Sequence, residues 1–207
     1  MREELAALYR EMGARGLITG SAGNVSARTA GGMLISPTGV SAGGITGDGM
    51  VEMARNGGGG AGASSEWQMH AAIYARAPTA QVILHAHSDH ATALACLNWP
   101  LPAFHYDVVG FGGADVRLAP YFTFGTLELA EAAAQAIDGR TACLLANHGM
   151  ICHGQDVASA LLTALRLETL ARQYLLACAA GTPRLLTSDE IAAARARYST
   201  YGQSRTQ

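Results

Sequence analysis

Three histidines at two strand ends are the residues of this chain best placed to do chemistry. His85 and His87 follow the apolar run 82–84, and residues two apart on a strand point to the same face. His148 follows a second apolar run, 142–145, and precedes a glycine. Two strand ends that bring three imidazoles to one point, with a coordination position left open, are typical of a catalytic metal site. The spacing does not name the metal, because imidazole suits zinc, cobalt, nickel, iron or copper.

Glu66 stands where the sequence predicts the start of a helix. Ser64 and Ser65 precede it and are natural N-cap residues, and the helix is expected over residues 67–76. Backbone N–H groups and the helix dipole at such a start favour an anion, and the two hydroxyls add donors. Helix capping alone is the simplest interpretation of these residues. In the company of three histidines, we interpret them as an anion site with an acidic residue beside it.

Hairpin and helix patterns predict the architecture that must position these groups. Helices are expected at residues 3–15, 67–76, 90–97, 126–137, 156–179 and 189–198, with Thr126, Asp156 and Ser188 as N-caps. Short strands with turn residues between them fill the intervening segments. We therefore expect one α/β domain over residues 1–207, with a central, mostly antiparallel sheet and helices layered on both sides. The tail, about 199–207, is expected to be mobile.

Charge limits the partners of this chain. Of its 207 residues 14% are charged, against about 25% in a typical globular protein, and the net charge is −2. Such a chain offers no electrostatic basis for binding nucleic acid or an anionic membrane, so we expect neither as a partner. The low charge also suggests surface buried in an oligomer, although a high alanine content gives the same figure.

Cysteine usage and hydropathy indicate a cytoplasmic protein. No stretch reaches the roughly 18 uninterrupted apolar residues of a transmembrane helix. The first ten residues are amphipathic and have no continuous apolar core, unlike a signal peptide. The four cysteines lie in apolar sequence without a Cys-x-x-Cys pair, and we interpret them as reduced core residues. They are Cys96, Cys143, Cys152 and Cys178.

Six motifs in a fixed order resemble the class II aldolase/adducin family across nearly the whole chain. They are GSAGNVS (20–26), PTG (37–39), SSE (64–66), HAH (85–87), YFTFGT (121–126) and NHG (147–149). Their shared order is far more specific than any one of them. Within the family, the chain is most similar to the enzymes that cleave L-fuculose 1-phosphate.

The resemblance implies a role for each motif residue. It places one Zn²⁺ per subunit on His85, His87 and His148, and makes Glu66 the general acid/base, which also touches the metal when no substrate is bound. It assigns binding of the substrate phosphate to Asn24, Thr38, Gly39, Ser64 and Ser65. It also makes Tyr106 and Tyr201 two further catalytic residues. The family also implies a homotetramer with sites between subunits. Whether Tyr106 acts in its own site or a neighbour's stays open.

The implied reaction is reversible cleavage of a ketose 1-phosphate to dihydroxyacetone phosphate and an aldehyde. In the implied mechanism the metal replaces a Schiff base as the electron sink, and the chain agrees with this, because it contains no lysine. L-Fuculose 1-phosphate is the first expected substrate. The 5-methylthioribulose and 5-deoxyribulose 1-phosphates of nucleoside salvage are the alternative, because Val108, Val109 and Phe111 could line an apolar aldehyde pocket.

Three other functions are possible on the same fold. Related sugar-phosphate epimerases carry Asp where this chain has Glu66, which favours the aldolase. A decarboxylase would share the enolate chemistry. A non-catalytic, adducin-like binding protein would lack the metal site, whereas all three histidines are present here.

Overall fold

A seven-stranded sheet forms the centre of residues 1–198, the part of the chain that the computed structural model describes. Its strands are β1 (Asn24–Arg28), β2 (Gly32–Ile35), β3 (Val51–Ala54), β4 (Val82–Ala86), β5 (Leu118–Ala119), β6 (Ala142–Leu145) and β7 (Gly149–Gly154). They lie in the order β3-β2-β1-β4-β7-β6-β5. Every neighbouring pair is antiparallel except β5 and β6. The predicted α/β class with a mostly antiparallel sheet is confirmed.

Helices cover both faces of this sheet. They are α1 (Arg2–Ala14), α2 (Trp67–Arg76), α3 (Asp89–Cys96), α4 (Leu127–Ala136), α5 (Val157–Ala180) and α6 (Ser188–Tyr198). Buried residues of α1, α3, α5 and α6 form one apolar core with one face of the sheet. Buried residues of α2 and α4 form the second core on the other face. None of the described helices is long and apolar enough to cross a membrane.

Alternation along β4 decides which core each side chain enters. Val82 and Leu84 belong to the core with α1, α3 and α5, whereas Ile83 belongs to the core with α2 and α4. Side chains on a strand alternate between faces, so His85 follows Ile83 onto the face that α2 covers. The start of α2 therefore lies close to the end of β4.

Local capping differs from the sequence prediction at two helices. The side chains of Thr126 and Asp156 cap α4 and α5 as predicted. At α6 the cap is Thr187 and not Ser188, because Thr187 and Glu190 exchange two hydrogen bonds of 2.8 and 3.3 Å in a capping box. At α2 the N-cap position belongs to Glu66, which makes no side-chain capping bond.

The segment after Tyr106 corrects the expectation of an apolar aldehyde pocket. Tyr106–Phe111 forms a 3₁₀-helix where the sequence suggested a loop. Val108, Val109 and Phe111 are at most 5% exposed and pack into the core with α3 and α5. Their side chains stabilise the fold on the face of the sheet opposite the histidines and are not available to an aldehyde.

Cysteine burial follows the prediction only in part. Cys143 and Cys152 on β6 and β7 are buried, but Cys96 is exposed and Cys178 is half-buried. All four are free thiols. The apolar sequence around Cys96 and Cys178 belongs to the helices α3 and α5, each of which turns only one side to the core.

Replacing Asp156 by alanine tests the cap of α5. Asp156 accepts a hydrogen bond from the Ser159 N–H at 2.7 Å and donates its own backbone N–H to Ser159 Oγ at 3.1 Å. We expect D156A to lower the free energy of unfolding by about 1 kcal/mol, measured by urea denaturation. Asp48, an exposed residue of the loop before β3, gives the control D48A. Equal stability of the two variants would contradict the cap.

Candidate active site

The three histidines predicted as metal ligands form a compact cluster at the β4 end. The centroids of each pair of rings lie 4.8 Å apart. His85 Nε2 and His87 Nε2 are separated by 2.9 Å, and one nitrogen from each of the three rings lies within 4.8 Å of the others. His148 reaches this point from the turn between β6 and β7. Asn147 permits that turn by adopting a left-handed backbone with φ of 52°.

The orientation of His85 is fixed by the backbone of β7. His85 Nδ1 donates to the carbonyl oxygen of Met150 at 2.8 Å. The other nitrogen, Nε2, therefore points its lone pair into the cluster when the ring is neutral. Burial, followed by the charge of His85, lowers the pKa of His87 and of His148 to about 4. Both are neutral near pH 7, the form in which imidazole binds a metal.

Glu66 joins the histidines from the start of α2. Its side chain is nearly buried; Oε2 lies 3.1 Å from His85 Nε2 and Oε1 lies 3.3 Å from His148 Nε2. Burial opposes ionisation of Glu66, but the charge of His85 and hydrogen bonds from His85 and Asn24 outweigh it and hold its pKa well below the usual range. The carboxylate in turn raises the pKa of His85 against the effect of burial.

The donor set fits a divalent metal ion. Oε1 of Glu66 is buried without a hydrogen-bond partner. In neutral His85, Nε2 is also an acceptor, and it lies close to the second carboxylate oxygen. Acceptors packed this closely away from water repel one another unless a cation lies among them. Three imidazole nitrogens and a carboxylate are a set that zinc accepts.

A cleft of about 350 Å³ opens beside the cluster. It is lined by Asn24, Thr38, Gly39, Ser64, Ser65, Glu66, His87, Asn147 and His148, with Tyr121, Phe122 and Phe124 among the remaining residues. All five residues predicted to hold a phosphate therefore share one cleft with the acid/base candidate and two of the histidines. Their roles as phosphate ligands stay predictions.

Asn24 has a second partner that the sequence did not reveal. Its Nδ2 donates to Glu66 Oε2 at 3.0 Å, and its Oδ1 contacts Nε2 of the buried His70. The amide is thus held between a helix residue and the carboxylate. The missed signal is the spacing of Glu66 and His70, four residues apart, which places both on one side of α2.

Tyr106, one of the two predicted catalytic tyrosines, is not part of the cleft of its own chain. Tyr106 is 58% exposed, belongs to the 3₁₀-helix and is not among the residues that line the cleft. Tyr201, together with the predicted mobile tail, falls outside the described residues. The within-chain alternative for Tyr106 therefore has no geometric support.

The fold is that of the class II aldolase/adducin family, and the chain belongs to this family. The profile described as "Class II Aldolase and Adducin N-terminal domain" matches residues 3–175. The resemblance inferred from the six motifs is confirmed. Since the similar proteins over most of the chain are named aldolases, the protein is a class II aldolase, which is a metal-dependent lyase.

Relatives of two substrate types are similar to this chain. A 5-methylthioribulose-1-phosphate/5-deoxyribulose-1-phosphate aldolase of Rhodospirillum rubrum is 39% identical over 206 residues, covering 99% of this chain and 93% of the relative. An L-fuculose phosphate aldolase of Escherichia coli K12 is 42% identical over 195 residues, covering 93% and 91%. A solved structure of an L-fuculose 1-phosphate aldolase superposes with a TM-score of 0.90 at 37% identity, covering 96% of this chain and 95% of that one.

Replacing Gly149 by alanine tests the packing that brings the histidines together. A methyl group there would collide with the carbonyl oxygen of Ala86 and lie 3.0 Å from His87 Cδ2. The turn that carries His148 must then move away from β4. We expect G149A to weaken binding of Zn²⁺, used as the probe ion, by roughly 10- to 100-fold, measured by competition with a chelator.

Gly31 provides the matched control for this substitution. A methyl group at Gly31 meets nothing within 4 Å, and its φ is not in the left-handed region. G31A should bind Zn²⁺ like the unchanged protein. Equal affinities of G149A and G31A would show that the contact with β4 does not set the cluster.

Proposed function

We propose that this aldolase uses one Zn²⁺ per subunit to cleave L-fuculose 1-phosphate reversibly into dihydroxyacetone phosphate and lactaldehyde. The observation that carries the proposal is the meeting of the three-histidine cluster, Glu66 and the predicted phosphate residues in one cleft. His85, His87 and His148 would hold the ion. When bound, it supplies Lewis-acid stabilisation of negative charge on a substrate carbonyl oxygen.

Glu66 is proposed to move the proton at C3 of the substrate. In cleavage, the C4 hydroxyl passes its proton to the relay proposed for Tyr106, the C3–C4 bond breaks to release the aldehyde, and the electron pair remains at C3. Glu66, which must first take up a proton from water, delivers that proton to C3 and is left ionised. Its low pKa favours this ionised state, which is the one that removes the C3 proton in the reverse direction. Oε1, which has no hydrogen-bond partner, is the oxygen available for this step.

The phosphate is proposed to bind at the wall of the cleft that precedes α2. Hydroxyls of Thr38, Ser64 and Ser65 and the backbone at Gly39 line this wall, next to a helix start whose dipole favours an anion. Asn24 can contribute as well, because an amide nitrogen carries two hydrogens and Glu66 uses one of them. Such donors replace the lysine that the chain lacks.

A neighbouring subunit is proposed to complete the aldehyde end. Tyr106 is exposed and does not line its own cleft, so a role as proton relay requires a site shared between subunits, and we propose that these subunits form a homotetramer. Tyr121, Phe122 and Phe124 at the cleft are 38–66% exposed, an apolar surface that suits contact with another chain. Tyr201, outside the described residues, is proposed to close the site.

A second substrate class is supported by a relative and by the aromatic rim. The Rhodospirillum rubrum protein is named for the 1-phosphates of 5-methylthioribulose and 5-deoxyribulose. The aldehydes released from these substrates are less polar at the far end than lactaldehyde, which carries a hydroxyl group. The exposed rings of Phe122 and Phe124 offer such an aldehyde apolar contact. In either case the partners are a phosphorylated ketose, dihydroxyacetone phosphate and an aldehyde, and we propose a single-domain, cytoplasmic enzyme.

The proposed reaction is tested by assaying zinc content and cleavage together. The purified protein should contain Zn²⁺ and release dihydroxyacetone phosphate from L-fuculose 1-phosphate, with activity lost to a chelator and restored by Zn²⁺. 5-Methylthioribulose 1-phosphate is assayed in parallel, and a higher kcat/KM for it would select the second substrate class. Cleavage that persists in a metal-free preparation would overturn the proposed use of zinc.

Glu66→Gln separates proton transfer from metal binding. Glutamine keeps the shape of the side chain but cannot accept the proton. We expect wild-type zinc content and melting temperature, with kcat lower by roughly 100- to 10,000-fold, the range for a general acid–base group. Glu128, exposed on α4, gives the control E128Q, which should retain activity. Full turnover by E66Q would remove Glu66 from the mechanism.

A further inference from the structure

A row of buried polar side chains lies behind the site, between α2 and β1. Glu66, His70 and Tyr74 follow one another at intervals of four along α2, and Asn24 and Ser26 stand two apart on β1. The helical and strand periods place each set on one face. All five side chains are less than 9% exposed. The proposed mechanism assigns no role to His70, Ser26 or Tyr74.

Hydrogen bonds join these five residues into a continuous chain. Asn24 Nδ2 lies 3.0 Å from Glu66 Oε2, and Asn24 Oδ1 contacts His70 Nε2. His70 Nδ1 lies 2.7 Å from Ser26 Oγ, which lies 2.9 Å from the Tyr74 hydroxyl. The chain therefore runs from the far turn of α2 to one oxygen of the carboxylate.

The donor and acceptor properties of these side chains set the direction of the hydrogen bonds in this row. An ionised carboxylate only accepts, so the Asn24 amide must turn its NH₂ group to Glu66 and its oxygen to His70. That oxygen needs a donor, so His70 carries its proton on Nε2. Nδ1 then accepts from the Ser26 hydroxyl. The Tyr74 hydroxyl lies 2.9 Å from Ser26 Oγ and 3.4 Å from the carbonyl oxygen of Gln81, and it can donate to either. The donors of Ser26, His70 and Asn24 all point toward Glu66.

We propose that His70 is a positioning residue that, through Asn24, holds Oε2 of Glu66 in place and leaves Oε1 as the oxygen that exchanges a proton with substrate. The inference rests on the proposed role of Glu66. It extends that role, because two oxygens of one carboxylate receive different tasks. Oε2 has the Asn24 donor, whereas Oε1 is buried without a hydrogen-bond partner.

The surroundings of His70 support the single tautomer. His70 is fully buried, and this burial, followed by the charge of His85, lowers its pKa to about 3. The ring is therefore neutral at neutral pH, with one donor and one acceptor nitrogen. Burial also raises the pKa of Tyr74 and keeps its hydroxyl a donor. A neutral chain in which each member is satisfied fixes the amide without adding charge near the site.

The first test reads the tautomer of His70 by nitrogen NMR of ¹⁵N-histidine-labelled protein, with H70Q used to assign the signal. We expect a neutral ring protonated on Nε2 at pH 7. A proton on Nδ1, or a charged ring, would overturn the proposed direction. This measurement needs no substrate. If neither ketose 1-phosphate is cleaved, the proposed function is wrong. The NMR measurement still decides the direction of the hydrogen bonds between Glu66 and His70.

The second test compares two substitutions of His70. H70L removes the donor to Asn24, and we expect kcat to fall by roughly 10- to 100-fold, the range for partners that orient site residues, with KM and zinc content little changed. H70Q keeps an N–H near the position of Nε2 and should recover most of the lost kcat. Equal losses in H70L and H70Q would overturn the need for this donor.

His153 provides the control for a buried histidine outside the chain. It is 6% exposed on β7 and contacts the carbonyl oxygen of Arg140. H153L should leave kcat unchanged even if it lowers the melting temperature. A loss of kcat in H153L as large as that in H70L would mean that general loosening of the core explains both.

A double-mutant cycle with E66Q separates positioning from a structural role. If His70 acts through Glu66, adding H70L to E66Q should lower kcat by much less than H70L does alone. The same fold-loss in both backgrounds would overturn the proposal. Should H70L fail to fold, S26A replaces it, because it removes the donor to His70 Nδ1 with a smaller change in volume. S26A should also lower kcat but not zinc content, and an unchanged kcat would count against the chain.

Discussion

Strand β4 lies at the middle of the sheet, and its pairing with β1 and β7 sets the position of the groups at the site. On one side Asn24 stands opposite His85, and on the other Ile151 does. The same pairing brings the Met150 carbonyl to His85 Nδ1. A slip of one residue would turn His85 to the other face of the sheet, away from α2 and Glu66. The hydrogen bonds between β1 and β4 and between β4 and β7 therefore fix the position of His85 relative to Asn24 and Glu66.

Without a metal ion or a proton on His85, that geometry opposes local stability. Acceptor atoms of His85 and Glu66 lie near one another in a place with little water, and such contacts destabilise a fold when no cation or proton lies between them. The site can persist because its parts are anchored elsewhere. His85 is held by the sheet, His148 by the turn before β7 and Glu66 by the start of α2. Locally unfavourable arrangements of this kind are expected at functional sites, where the remainder of the fold supplies the stability.

The sequence could predict the parts of the site that follow from local order. The apolar runs before His85 and His148 predict that these residues, together with His87, lie at strand ends, and the six motifs add Glu66 and the residues proposed to bind the phosphate. Contacts between distant segments leave no such local pattern. His70 has the sequence setting of any residue on an amphipathic helix, and only the packing of α2 on β1 shows that it faces Asn24. Likewise, Val108, Val109 and Phe111 resemble a pocket wall in sequence, and the choice between pocket and core depends on how the 3₁₀-helix packs.

The charges at the histidine end of the cleft affect what can bind at the proposed phosphate end. None of the described residues that line it is an arginine, and the chain contains no lysine. A substrate phosphate would therefore share the cleft with the Glu66 carboxylate. Only N–H and hydroxyl dipoles and the helix start would stabilise these two negative charges. A divalent ion on the histidines adds two positive charges close to both anions, in surroundings where screening by water is weak. In the proposed mechanism, the metal would then contribute to substrate binding as well as to bond cleavage, and binding at the phosphate end would depend on the three histidines.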